Sequence, residues 1–233
     1  MEKNEISVVI PIYNEEEAIK RISLNLIPVL KKAYSKYEII IVESGSTDRT
    51  GKICDELAKK NKKIKIIHQK RKEGYGSGLR LGYKFAKYKY IGYTDGDIPY
   101  DLIEFVNVIP LIKTCDAVIG YKKGRRESFK RKFFSFCYNS LIRIIFGLKV
   151  KDINFSFKVI RKDVLEKLDL KSNGWFIDAE IQAELKRKKF KVKEMGIKYI
   201  HRKVGKSKVK INLKLILGIL KELLNYIKRK KTK

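Results

Sequence analysis

I-S-V-V-I-P-I-Y-N-E-E-E-A-I-K, at residues 6–20, changes its period partway along. Ile6–Ile12 is a β-branched run with almost no polar alternation, the pattern of a strand buried on both faces. From Glu15 to Lys32, Ile19, Ile22, Leu26, Ile27 and Leu30 recur at helical spacing, with acids in the first turn. Pro28 interrupts that pattern and predicts a kink or an end there. The strand-then-helix unit repeats downstream. Strands are predicted at Tyr37–Val42, Ile64–His68, Lys89–Tyr93 and Ala117–Gly120. Helices are predicted from a Thr47 or Asp48 cap to about Lys60, and over Leu79–Lys87 after a glycine-rich turn. Such alternation predicts an α/β fold, with a mostly parallel central sheet and helices on both faces. Ligands of these sheets bind beyond the carboxyl ends of the strands. Asn14-Glu15, Glu43–Asp48 and Asp95–Asp97 all fall at such ends.

The chain has 233 residues, of which 44% are apolar, enough for a sizeable core. Its 55 Lys and Arg against 26 Asp and Glu give a net charge of +29. That surface attracts polyanions: nucleic acid, anionic lipid headgroups or phosphorylated substrates. A general lysine bias is the alternative reading. No nucleic-acid-binding motif accompanies the charge, so nucleic acid is not expected as a partner. Cys54, Cys115 and Cys137 are far apart and form no C-x-x-C, which suits a reducing cytosol. The first residues lack the apolar core of a signal peptide. No uncharged apolar run reaches the roughly 18 residues that span a bilayer.

The second part of the chain differs in character. Lys122–Lys151 holds ten basic residues and one acid, and Arg202 to the end holds twelve and one. Within them, F-F-S-F-C-Y-N-S-L-I-R-I-I-F and N-L-K-L-I-L-G-I-L-K-E-L-L-N-Y-I-K pair apolar faces with lysine and arginine. Both fit helices lying in a membrane interface; core-facing helices with solvated lysines are the alternative. The terminal K-R-K-K-T-K is expected to be a flexible tail.

Y-T-D-G-D-I-P, residues 93–99, sets Asp95 and Asp97 on either side of Gly96. Read alone it is ordinary turn chemistry, or a pair of carboxylates converging on a divalent cation. The wider order of motifs bears on that choice. P-I-Y-N-E-E (11–16), V-E-S-G-S-T-D (42–48), G-Y-G-S-G (74–78) and D-G-D (95–97) are followed by R-K-F-F-S-F-C-Y-N (131–139), K-D-I-N-F-S-F-K (151–158), W-F-I-D-A-E-I (175–181) and G-K-S-K (205–208). In this order and spacing the chain resembles family 2 glycosyltransferases, in the branch similar to dolichyl-phosphate mannose synthases and other polyprenyl-phosphate sugar transferases.

The resemblance implies a GT-A fold. It also implies inverting transfer of a hexose from a nucleotide sugar, of the GDP-mannose or UDP-glucose type, to a polyprenyl phosphate. Asp95 and Asp97 would hold Mg²⁺ or Mn²⁺ on the donor diphosphate. Pro11, Tyr13, Glu15, Glu43 and Gly96 would line the donor site, with Arg202 and Lys208 reaching it from a C-terminal segment that Gly205 helps to bend. Arg131, with Lys122, would hold the acceptor phosphate. The transferase domain would cover residues 1–210, with a basic amphipathic helix and tail at 211–233. The protein would act in the cytoplasm, peripherally attached to an anionic membrane surface. Two positions depart from the family pattern. Ser44 replaces a second acid. Pro99 stands where these synthases tend to have a side-chain amide near the metal, and proline offers neither a side-chain ligand nor an N–H.

Other residues stay open on sequence grounds. Gly74, Gly76 and Gly78 would allow close approach of backbone to the donor. Asp152, Asp178 and Glu180 are caps or site acids. If the acceptor were a glycan or protein hydroxyl, Asp152 or Asp178 would be the first candidates for its base. A degenerate, non-catalytic sugar-nucleotide binder is the further alternative. Trp175 is read as core in preference to a sugar-stacking wall. His68 and His201 are too few and too separate for a triad or zinc site.

Overall fold

The structure, a computed structural model, describes residues 4–96, 100–124, 129–198 and 213–231, and of residues 21–24 and 129–131 the backbone alone. In chain order the elements are β1 (Glu5–Ile12), α1 (Glu16–Ala33), β2 (Lys36–Glu43), α2 (Thr50–Lys60), β3 (Ile64–His68), α3 (Tyr75–Phe85), β4 (Tyr90–Tyr93) and the short α4 (Glu104–Asn107) and α5 (Ile109–Ile112). Then come β5 (Ala117–Lys123), α6 (Phe129–Phe146), β6 (Lys158–Arg161), α7 (Lys162–Leu165), α8 (Ile177–Arg187), β7 (Val192–Lys198) and α9 (Leu213–Lys231). One seven-stranded sheet runs β3-β2-β1-β4-β6-β5-β7. β6 is antiparallel to both of its neighbours, and the other strands share one direction.

β1 decides this layout, because its alternate residues feed two cores. Ile6, Val8, Ile10 and Ile12 pack under α1 and α2, with Ile19, Leu26, Leu30 and Ile53. Val9 faces the opposite layer, with Leu79 of α3 and Ile177, Ile181 and Leu185 of α8. A third cluster joins Ile142 of α6, Phe176, Ala179 and Ala183, and Leu223 and Tyr226 of α9.

Four predictions need correction. α1 runs past Pro28 to Ala33, because Pro28 lies on the exposed side while Leu26 and Leu30 anchor the helix to the core. α3 begins at Tyr75, ahead of the predicted Leu79, so the glycine stretch is helix and not turn. The antiparallel β6 and the parallel β7 extend the five predicted strands. The basic end is helical as far as Lys231, and its charges are engaged: Arg229 pairs with Glu180 at 2.6 Å, and Lys230 with Asp169 and Glu184 at 2.9 Å each. Burial opposes the charge of Glu184, but hydrogen bonds from Arg187, Lys230 and Tyr226 outweigh it and hold the carboxyl near about 2.

α6 and α9 each have two faces. Beyond the buried cluster, Phe133, Phe134, Phe136, Leu141, Ile144 and Ile145 of α6 are exposed, as are Leu213, Leu217, Leu220 and Leu224 of α9. Among the described residues no helix is long and apolar enough to cross a membrane.

Candidate functional site

Because β1, β2, β4, β5 and β7 share a direction, their carboxyl ends line one edge of the sheet. Pro11–Glu15 leaves β1 there, Glu43-Ser44 leaves β2 and Asp95 follows β4. Lys122 lies at the end of β5, half-buried, with its Nζ 5.9 Å from the centre of the Phe155 ring. The chain also leaves β7 at this edge, toward Arg202 and Lys208. Those two residues, Asp97, Pro99, Gly205 and His201 lie outside the described residues; Arg131 is in the first turn of α6, its side chain likewise outside.

Asn14, at φ 54°, turns the chain between β1 and α1; asparagine tolerates this left-handed region better than most residues. Its Oδ1 accepts from the Thr47 N–H at 2.8 Å, and its own N–H donates to Ser46 Oγ at 3.0 Å. The first two loops of the site are thereby joined. Glu15 completes the joint, its N–H donating to Thr50 Oγ1 at 2.8 Å and its carbonyl accepting from Ala18 and Ile19 to start α1. The N-cap of α2 is Arg49, not the predicted Thr47 or Asp48; Asp48, one residue before it, accepts from the Thr50 N–H at 2.9 Å. The Tyr13 ring is half-buried beneath Lys72, whose Nζ is 3.8 Å from its centre. Gly96 is buried; a Cβ there would meet Ile12 Cγ2 at 2.9 Å, and Glu15 Cγ lies 3.7 Å away.

Glu43 is buried and both its oxygens are engaged. Oε1 accepts from the Ser46 N–H at 2.5 Å, and Oε2 lies 3.0 Å from His68 Nδ1. His68 Nε2 lies 2.9 Å from Asp55 Oδ1. An imidazole between two acceptor-only carboxylates satisfies both only as the imidazolium. The hydrogen bonds to Glu43 and Asp55 accordingly raise the His68 pKa above 6.5. Burial opposes the Glu43 charge, but Ser46 and His68 prevail and lower its pKa. His68 therefore contributes its full stabilisation below 6.5 and loses it as pH rises through the raised folded value. Melting temperatures of wild type and His68→Ala should differ most near about pH 6 and converge above the folded His68 pKa. A gap independent of pH would refute the imidazolium.

Ser44 does not leave a hole in place of the family's acid. Its hydroxyl donates to Gln69 Oε1 at 2.8 Å, and Gln69 Nε2 donates to Ser77 Oγ and Glu73 Oε2 at 3.1 Å each.

The glycines of residues 74–78 serve a different purpose from donor approach. A Cβ on Gly74 would lie 2.2 Å from the Asn173 carbonyl oxygen, one on Gly76 2.5 Å from that of Ser172, and one on Gly78 3.3 Å from Pro11 Cβ. They admit the 172–174 loop and the end of β1 against α3. Gly74 also has φ 112°, open to glycine alone among ordinary choices. This docking stacks Tyr75 on Trp175, with ring centres 4.7 Å apart and planes 8° from parallel. The Tyr75 hydroxyl donates to Asp95 Oδ1 at 2.7 Å. Burial and the Asp95 charge hold the Tyr75 pKa well above 10.0, so it remains a donor. Trp175 is 37% exposed, which corrects its assignment to the core. Tyr75 escaped sequence reasoning, since nothing in G-Y-G-S-G says which way its ring points.

Two of the acids left open by the sequence are in use elsewhere. Asp178 is buried against Lys158 Nζ at 2.5 Å and accepts from the Tyr93 hydroxyl. Glu180 accepts from the N–H groups of Lys171 and Ser172 and pairs with Arg229. Asp152 is buried. Asp95 is suited to a hard cation: a half-buried carboxylate on a loop, oriented by a phenol, with a second acid two residues on.

The fold matches solved structures at low sequence identity. A glucosyl-3-phosphoglycerate synthase from Mycobacterium tuberculosis, solved with Mn²⁺, uridine diphosphate and phosphoglyceric acid, aligns with a TM-score of 0.72 at 16% identity, over 95% of this chain and 76% of that one. The sheet and this likeness define a GT-A fold. An uncharacterized protein of Methanocaldococcus jannaschii is 28% identical over 94% of this chain and 97% of its own length. An undecaprenyl-phosphate mannosyltransferase of Micrococcus luteus is 25% identical over 88% of this chain and 87% of its own length. A dodecaprenyl-phosphate galacturonate synthase of Rhizobium johnstonii is 26% identical over 93% of this chain, which spans 65% of that protein. The model of glycosyl transferase family 2 matches residues 7–169, a stretch that holds the Asn14 turn, the Glu43–His68 pair, the α3 glycines and Asp95, and the chain belongs to that family.

Proposed function

We propose that this glycosyltransferase moves a hexose from a nucleotide sugar to a polyprenyl phosphate, with inversion at the anomeric carbon. The observation that carries the reading is the convergence of the β1, β2 and β4 ends on one edge, with Asp95 oriented by Tyr75. Pro11, Tyr13, Glu15, Glu43 and Gly96 line the donor side. Arg202 and Lys208 serve its phosphates from the segment after β7. Asp95 and Asp97 would hold Mg²⁺ or Mn²⁺, which supplies positive charge to the departing diphosphate. An acceptor phosphate oxygen attacks the anomeric carbon from the opposite side as the bond to the nucleoside diphosphate breaks. A phosphate is already ionised near neutral pH and needs no base. That agrees with Asp178 and Glu180 being bound up in ion pairs. Arg131 and Lys122 hold the acceptor phosphate.

The exposed apolar rows of α6 and α9, set among basic residues, favour a lipid acceptor over a soluble glycan. In this reading the protein works at the cytoplasmic face of an anionic membrane, with residues 1–210 as the transferase domain and 211–233 as a basic helix and tail, of which α9 docks on the domain. The test supplies labelled GDP-mannose or UDP-glucose, Mn²⁺ or Mg²⁺, and a polyprenyl phosphate in mixed micelles. Label is expected in the lipid phase, dependent on the metal. Label transferred instead to a soluble glycan, or to no acceptor, overturns the proposal.

A further inference from the structure

Glu222 projects from α9 onto a loop distant in sequence. Its Oε1 accepts from the N–H groups of Asn173 at 2.9 Å and Gly174 at 2.7 Å, and its Oε2 from that of Phe176 at 3.3 Å. Those donors flank Trp175 on both sides. The fit is close: a Cβ on Gly174 would lie 2.9 Å from Glu222 Oε2. The same loop is held from the other side, where the Asn173 carbonyl accepts from the Ser77 N–H at 3.1 Å and Arg80 donates to Leu170 and Asn173. Trp175 is thus fixed at its backbone by the C-terminal helix and at its ring by Tyr75, whose hydroxyl holds Asp95.

We infer that Glu222 is a positioning residue for the donor site: through the 173–176 loop it sets the Trp175–Tyr75 stack and with it the Asp95 carboxylate. The inference rests on the proposed role of Asp95 in holding a cation. A carboxylate that only capped α8 would stabilise that helix without affecting Asp95. Three donors on one carboxylate, bracketing the residue that stacks on the partner of Asp95, give it a longer reach. The C-terminal helix is then part of the site although it supplies no group to the donor.

Trp175 is the sole tryptophan of the chain, so its fluorescence reports the loop directly. Full-length wild type, Glu222→Ala, Glu222→Gln, Tyr75→Phe and Asn225→Ala are compared by acrylamide quenching without metal. Binding of Mn²⁺ alone is then measured by counting the free ion with electron paramagnetic resonance. Glu222→Ala should increase quenching and weaken Mn²⁺ binding about 5-fold or more, the lower end of the usual coupling between linked sites. Glu222→Gln should do both to a smaller degree, and serves if the alanine variant does not fold. Tyr75→Phe should keep the stack and its quenching but weaken Mn²⁺ binding. Asn225→Ala, on the exposed side of α9, should change neither. Wild-type quenching in both Glu222 variants overturns the inference, as does a freed Trp175 with unchanged Mn²⁺ affinity. Wild type that binds no Mn²⁺ sinks the cation role of Asp95 instead, and the positioning role is then decided by the quenching alone.

Discussion

Lys158→Met is expected to lower the free energy of unfolding by about 3–5 kcal/mol, measured by urea titration, as breaking one side of a buried ion pair does. β6 pairs with β4 so that Lys158 stands beside Tyr93, and α8 brings Asp178 over both. The lysine is 0% exposed, and its ammonium has three acceptors: Asp178 Oδ1 at 2.5 Å, the Tyr93 hydroxyl at 2.8 Å and the Phe155 carbonyl at 2.8 Å. Methionine fills similar space but leaves the Asp178 carboxylate with one phenolic donor and no countercharge. Burial first, and the Asp178 charge second, raise the Tyr93 pKa well above 10.0, so Tyr93 stays a neutral hydrogen-bond donor, and a phenol brings no countercharge. The companion variant Lys158→Met with Asp178→Leu removes both charges and should recover most of the loss. A cost below about 1 kcal/mol for the single replacement would show that the contact does not behave as a buried ion pair.

The β1 stretch contained most of the fold because its strand is buried on both faces, and a continuous apolar run has few other uses. β2, β4 and β5 were legible for the same reason, at their burial if not always at their ends, and β3, a partly buried edge strand, from Ile64, Ile66 and Ile67. β6 and β7 were not. β6 has only four residues, and its lysine reads as surface until Asp178 is seen above it. β7 carries lysines and a glutamate on an edge strand, which blurs the alternation. At the candidate site, Asp95, Glu43 and Pro11 were legible as candidates because the motifs that hold them fall at strand ends. The links among them were not, since they join residues far apart in sequence: Tyr75 to Asp95, Trp175 to Tyr75, and Glu222 to the loop of Trp175. The glycines of 74–78 read as room for close approach to the donor because spacing alone does not tell whether a small residue admits a ligand or another piece of chain. Here the backbone carbonyls of 172 and 173 occupy the space.

Asp95→Asn is expected to reduce transfer by about 10²–10³-fold in kcat/KM, equivalent to about 3–4 kcal/mol of lost transition-state stabilisation. The replacement keeps the shape and can still accept from Tyr75, so stability without ligands should change little. What it removes is the negative charge that a divalent cation needs at the end of β4. Wild type at 100 times the dissociation constant of its donor should gain about 2.7 kcal/mol of stability, and the variant at the same donor and Mn²⁺ concentrations much less. Tyr75→Phe separates charge from orientation. It leaves the carboxylate ionised but loses a charge-assisted hydrogen bond, so its loss in kcat/KM should be smaller, near 10-fold, equivalent to about 1.4 kcal/mol. If Asp95→Asn retains both wild-type transfer and metal-dependent stabilisation, Asp95 is a turn residue after all. The acids that hold the cation must then be sought elsewhere along the same sheet edge, starting with Glu15 beside Gly96.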